Sequence, residues 1–219
     1  MAPTYVVGFP GSPSDGFRGS ARRFMSNPSD IAALKAGLRR QALARRAAMA
    51  PEARASASRA AAERALPLLR DAGGPVALFS AIRGEIDPAP LAEALSRAGI
   101  ATALPVVSGR AVPLVFRRWT LGDRLDPDPL FGIAQPRAEA PLLVPAAILV
   151  PLAAFDRKGG RIGYGGGFYD RTLAGLDPRP LAFGYAFACQ EVPRVPMESH
   201  DVPLDMVITQ DDVISCSAD

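Results

Sequence analysis

With one histidine, two cysteines and one tryptophan among 219 residues, the chain lacks the material for several kinds of chemistry. A lone His200 leaves little room for a serine or cysteine triad, no GxSxG elbow is present, and His200 itself reads as a hydrogen-bonded structural group. Cys189 and Cys216 have neither CxxC spacing nor histidine company, so they read as two reduced thiols rather than a disulfide or a zinc site. No apolar run approaches the roughly 20 residues that cross a bilayer, and no charged-then-apolar signal segment opens the chain. Charge of one sign is also scarce: 25 Lys and Arg against 22 Asp and Glu leave a formal +3. The arginines are scattered rather than gathered in a stripe with aromatics, so neither nucleic acid nor a membrane is the expected partner. What remains is a cytoplasmic protein, expected to be monomeric, whose 48% hydrophobic content supports one sizeable core and whose basic balance suits a small anionic ligand.

Glycine, by contrast, is concentrated. Asp156 to Arg171, DRKGGRIGYGGGFYDR, holds six glycines and two tyrosines between an apolar run and a helix. A glycine in regular structure costs roughly 0.5–1 kcal/mol relative to alanine, so such a cluster needs a reason beyond chain reversal, and a bound phosphate supplies one. The preceding AAILVPLAAF, Ala146 to Phe155, reads as one strand buried on both faces. Phe168 to Leu176 reads as a short helix whose first turn, with free N–H groups and a positive dipole end, follows Gly165, Gly166 and Gly167. The loop lacks the Gly-Lys-Ser/Thr ending of a P-loop and the third glycine of the dinucleotide fingerprint. A mobile surface turn would explain the glycines but not Arg161, Tyr164, Tyr169 and Asp170 interleaved with them.

Residues 1 to 28 are rich in Gly, Ser and Pro without period and read as a disordered tail or as sequence upstream of a true start at Met25, leaving one domain over 29–215. Ser29 is placed as the N-cap of a helix with Ile31, Leu34, Leu38 and Ala42 or Leu43 on one face, and Lys35 and Arg39 on another. A second helix is expected from Pro51 to Leu66, then a strand at 76–80, a helix closed by Gly99, and a strand at 100–104. Residues 106–145, irregular and proline-rich with one strand at 114–118, should wrap the sheet edge. PLAFGYAF and DMVITQ supply two more strands. This alternation gives a three-layer α/β fold, a mostly parallel sheet with helices on both faces.

The segment LVPLAAFDRKGGRIGYGGGFYDR resembles the signature of the 5-formyltetrahydrofolate cyclo-ligases, also called methenyltetrahydrofolate synthetases. KAGLRRQALARR from Lys35, IRGEIDP from Ile82, GIAQP from Gly132 and SHDVPLDMVITQ from Ser199 agree with it in the same order, across residues 30 to 212. The resemblance implies a fold similar to the ribose-5-phosphate isomerase and CoA-transferase-like folds. It also implies ATP- and magnesium-dependent closure of 5-formyltetrahydrofolate to 5,10-methenyltetrahydrofolate, with ADP and phosphate as products. A ligase acting on another formylated substrate, and a non-catalytic folate- or RNA-binding relative, are the competing readings.

By the same resemblance, Lys35 and Arg39 should reach the nucleotide phosphates, with Arg161, Ile162, Gly163, Tyr164, Gly165, Gly166, Gly167, Phe168 and Tyr169 forming the rest of the ATP site. Arg161 and Tyr164 carry the catalytic roles. Asp170 and Asp201 are the implied Mg²⁺ ligands, few enough for an ion that keeps phosphate oxygens and waters, with Asp205 expected to support one of them. Ser80, Glu85, Tyr164, Gly165, Gly166, Gly167 and Phe168 face the folate, with Glu85 accepting from pterin N–H donors. Asp87 is better suited than Glu85 to cap the next helix. Some relatives carry basic residues where this chain has Tyr164 and Gly166. Asp170→Asn is expected to abolish ATP turnover while leaving the thermal transition nearly unchanged.

Overall fold

A computed structural model describes residues 28–216. The glycine- and serine-rich first segment therefore lies almost wholly outside the described residues. The four helices are α1 (Pro28–Ala47), α2 (Pro51–Asp71), α3 (Ala89–Arg97) and α4 (Phe168–Gly175). The strands are β1 (Val76–Ala77), β2 (Thr102–Val106), β3 (Val115–Arg118), β4 (Leu125–Pro127), β5 (Ala134–Pro136), β6 (Ala147–Pro151), β7 (Ala154–Phe155), β8 (Arg161–Ile162), β9 (Leu181–Tyr185), β10 (Met206–Ile208) and β11 (Val213–Ser215). Seven of them form one sheet in the order β11-β10-β9-β6-β1-β2-β3, parallel from β10 to β2 and antiparallel at both edges.

Side chains alternate across the sheet as the two-residue strand period requires. Ala147 and Leu149 join Leu78, Phe183 and Tyr185 under α2 and α3, whereas Ile148 and Val150 join Ala182, Val207 and Leu173 of α4 on the opposite face. The fold is thus the three-layer α/β type, its two cores separated by one sheet. From β1 the chain crosses by α3 to β2 on one side; from β6 it crosses by α4 to β9 on the other. Between β1 and β6 the winding reverses, and loops leaving neighbouring strands there part to open a crevice at their carboxyl ends.

Four local expectations are corrected. The apolar run from Ala146 is two strands, because after Pro151 the chain leaves the parallel sheet and Ala154–Phe155 pairs with Arg161–Ile162 in an antiparallel hairpin. Gln190 holds the bend by donating to the carbonyls of Leu152 and Ala153. Helix α2 continues to Asp71 through Pro67, since a proline forfeits one N–H bond while continuation buries Leu69 completely. Ser29 lies inside α1 rather than before it. In α1 the inward face is partly the expected one: Leu38 and Ala42 pack over the β7–β8 hairpin, but Leu34 is exposed and Lys35, Arg39 and Arg46 turn inward instead. Asp87 accepts from the Ala89 N–H at the start of α3, as expected of a cap.

Candidate active site

The glycine-rich signature divides into two structures with different physical work. Its first half, 156–160, is the turn of the β7–β8 hairpin. Buried Asp156 accepts from the N–H groups of Lys158 and Gly160, each at 2.9 Å, and from Val195 at 2.7 Å. A Cβ on Gly159 would stand 2.6 Å from the Leu204 carbonyl oxygen, so this glycine serves close packing rather than a ligand. Asp156→Ala is expected to cost about 3 kcal/mol of unfolding free energy, because two buried N–H groups and a half-buried one lose a charged acceptor. Denaturant titration checks this, and a change below about 1 kcal/mol would contradict it.

The second half is a nest. The N–H groups of residues 163–167 have no acceptor among the described residues, whereas the carbonyls of Gly163 and Gly166 are turned away onto arginine side chains. Arg39 Nε donates to Gly163 O at 2.8 Å and Arg171 Nη2 to Gly166 O at 2.6 Å. Gly167, in the left-handed region at φ 62°, caps α4, and no side-chain cap competes for the amides of its first turn. Free amides at a helix start favour an anion. At Gly163 and Gly165 an added Cβ would meet nothing within 4 Å, so the space above the nest is open. Ile162, by contrast, is a packing residue whose side chain lies among Ala42, Ala154, Val192 and Val195.

Beside the nest stand the expected cations and carboxylates, already paired with one another. Lys35 Nζ donates to Asp201 Oδ2 at 2.6 Å and to Glu198 Oε2 at 2.7 Å. Burial alone would lower the Lys35 ammonium; the bonds to Asp201 and Glu198 outweigh it and hold the pKa above its ordinary value. Arg161, nearly fully buried, donates to Asp170 Oδ1 and to the Val202 carbonyl, and Val202 N–H donates to the same Asp170 oxygen at 3.1 Å. Burial pulls the Arg161 pKa down, opposed by Asp170, Asp201 and the Tyr169 hydroxyl. Asp170 and Asp201 thus flank Val202, each keeping one oxygen without a hydrogen bond among the described residues. No group of three or more metal-ligating side chains exists among the described residues. The pair fits Mg²⁺, which takes most of its ligands from phosphate and water, and does not fit an all-protein cage.

Across the crevice, Glu85 is buried, with Oε2 accepting from Ile82 N–H at 3.0 Å and Oε1 without a partner. Burial raises its pKa, against the Ile82 N–H, Tyr164, Arg46 and Arg83, which lower it. The Tyr164 hydroxyl accepts from Arg46 Nη1 at 2.9 Å; burial and the facing Glu85 push its pKa up to about 12, so it stays protonated. Tyr169 is pushed higher by burial and by Glu85. Phe168 packs edge-on against Phe131 and lies under the Arg171 guanidinium. Ser80 contributes less than expected, its hydroxyl being spent on the Ala134 carbonyl of β5. Asp205 supports no site aspartate: it accepts from Ala182 N–H and Arg179 on β9's side. His200 is largely exposed, 3.7 Å from Asp201 Oδ1. A separate depression of about 600 Å³ between Trp119 and Arg137 contains none of these residues.

The sequence pattern of the 5-formyltetrahydrofolate cyclo-ligase family matches residues 31–210, which is most of the chain. The chain belongs to this family. Relatives named 5-formyltetrahydrofolate cyclo-ligase include proteins of Escherichia coli, 39% identical over 140 residues covering 61% of this chain and 76% of the relative, and Haemophilus influenzae, 36% identical over 135 residues covering 59% and 72%. Among solved structures, the Aquifex aeolicus 5,10-methenyltetrahydrofolate synthetase superposes with a TM-score of 0.72 at 30% identity, over 85% of this chain and 94% of the other. A Mycoplasma pneumoniae 5,10-methenyltetrahydrofolate synthetase, 21% identical, superposes with a TM-score of 0.65 over 80% and 98%, a likeness of fold.

Two contacts of the candidate site escape the sequence reading. Glu198 shares Lys35 with Asp201, and Arg46 holds Tyr164. Arg46 had a signal: Lys35, Arg39 and Arg46 fall at i, i+4 and i+11, one stripe of a helix. Glu198 had none, because its pairing joins residues 163 positions apart.

Proposed function

We propose that this crevice closes 5-formyltetrahydrofolate to 5,10-methenyltetrahydrofolate at the expense of ATP. One observation carries the reading: five unused amides beside Lys35, Arg39 and Arg161 face a buried carboxylate with a free oxygen, an anion cradle next to an acceptor for ring N–H groups. The nest takes the triphosphate and Glu85 the pterin. Transfer of the γ-phosphoryl group to the formyl oxygen makes the formyl carbon electrophilic and its oxygen a good leaving group. The position-10 nitrogen then attacks that carbon, its N–H proton is lost, the carbon–oxygen bond breaks, and phosphate departs as the five-membered ring closes.

No enzyme nucleophile is required, so the protein contributes position and charge. Arg161, fixed by Asp170 and the Val202 carbonyl, steadies oxygens whose charge shifts during transfer. Tyr164, protonated, offers a hydrogen bond rather than a base. Asp170 and Asp201 would hold Mg²⁺, which neutralises phosphate charge when bound. The same reading makes the protein a single domain over 29–215, monomeric and cytoplasmic, with small-molecule partners. No helix among the described residues is long and apolar enough to cross a membrane.

Purified protein given Mg-ATP and 5-formyltetrahydrofolate is expected to develop the near-ultraviolet absorbance of the methenyl product. Flat absorbance from a folded sample that binds ATP would reject the reaction.

A further inference from the structure

We propose that Arg46 is a positioning residue for the folate end of the site: its guanidinium clamps Tyr164 of the glycine segment to the Arg83–Glu85 turn, fixing where the Glu85 carboxylate stands. The inference rests on the folate reading above. Arg46 is 4% exposed, from the last turns of α1, and donates to Tyr164 Oη and to the Arg83 carbonyl, both at 2.9 Å. It makes no ion pair within 4 Å among the described residues, so a buried charge is maintained without a contact carboxylate. Core filling alone would be served better by an apolar side chain.

What the charge does hold is geometry. The two bonds leave different guanidinium nitrogens, a fork that lysine cannot reproduce. One end stops Tyr164, a residue 37% exposed, from swinging out of the crevice. The other end pins Arg83, a non-glycine residue at φ 51°, in a conformation L residues seldom adopt. Glu85 closes that turn, its N–H donating to the Ile82 carbonyl. One side chain therefore couples the loop after β8 to the loop after β1 across the reversal of the sheet.

The charge also reaches Glu85. The groups facing that carboxylate are Arg46 from α1, Arg83 on its own turn, Tyr164 of the glycine segment and Tyr169 from α4, with Arg54 of α2 against Gly84. Arg46 and Arg83 favour the ionised form, so loss of Arg46 moves the Glu85 titration upward.

The test compares wild type, Arg46→Lys, Tyr164→Phe and the double variant in the full chain. Arg46→Lys is expected to raise KM for 5-formyltetrahydrofolate about tenfold, with KM for ATP within about twofold and kcat within about threefold. Tyr164→Phe should give about a threefold effect in the same direction, and the double variant no more than Arg46→Lys alone, because both act through one contact. Equal rises in both KM values or additive variants would overturn the clamp. Should Arg46→Lys fail to fold, Tyr164→Phe decides: a normal folate KM overturns the proposal. A wild type that forms no methenyl product overturns the reaction itself, whereas wild-type turnover with unaffected variants overturns Arg46 alone.

Discussion

Replacement of Asp170 by asparagine is expected to reduce turnover by a factor of about a thousand or more, since it weakens the proposed metal ligand and the anchor of Arg161 together. The carboxylate accepts from Arg161 and from the Val202 N–H through one oxygen, leaving the other for the ion. Asparagine keeps an acceptor but not the charge, so a nearly buried guanidinium loses its counterion. The sequence alone suggested an unchanged thermal transition, and the ion pair revises that expectation. The side chains of Arg161 and Asp170 are 6% and 23% exposed, so breaking the pair should also cost about 2–3 kcal/mol of stability. Single-turnover kinetics and thermal unfolding of the same sample separate the two effects. Turnover within about tenfold of wild type would remove Asp170 from the metal role.

The double penalty reflects how the site is assembled, and it explains what was legible beforehand. The strand-helix alternation yields the layer order because β1, β2, β6 and β9 are apolar runs set between helical patterns, and each can bury only in one way. The nest is legible because its parts are local: Gly165, Gly166 and Gly167 precede the first turn of α4 on the same short segment. The inward polar face of α1 is not local. A helix with Ile31, Leu34 and Leu38 reads as amphipathic with its leucines inward. In the fold, Lys35, Arg39 and Arg46 turn in because carboxylates, carbonyls and a hydroxyl from 37 to 166 residues away receive them. The break after Pro151 is equally non-local, since it depends on Gln190 satisfying two carbonyls that leave the sheet. The pairing of Lys35 with Asp201 bears on the proposed function too: nucleotide and metal binding at this site would exchange these internal ion pairs for phosphate contacts, making affinity a difference between two charge-balanced states.

Glu85→Gln should separate stability from activity in opposite directions. The carboxylate is buried with one oxygen unpartnered, a cost that glutamine, uncharged and of the same shape, avoids. Because the folded-state pKa of Glu85 lies above the ordinary 4.5, the unfolded chain ionises first as pH rises, and folded stability falls from there until the folded pKa is passed. Below that window the two proteins should unfold alike; above it, at neutral pH, Glu85→Gln should be the more stable. Its kcat/KM for 5-formyltetrahydrofolate should nevertheless fall about 100-fold to 1,000-fold, since charge-assisted bonds to ring N–H groups are worth roughly 1.5–3 kcal/mol each and the amide offers a donor where an acceptor is needed. KM for ATP, which the proposed reading sets at the nest, should move little. A thermal-shift series from pH 4 to pH 8 alongside folate kinetics measures both arms. A variant less stable than wild type at neutral pH would contradict the buried unpaired charge, and an unchanged kcat/KM would remove Glu85 from the folate site.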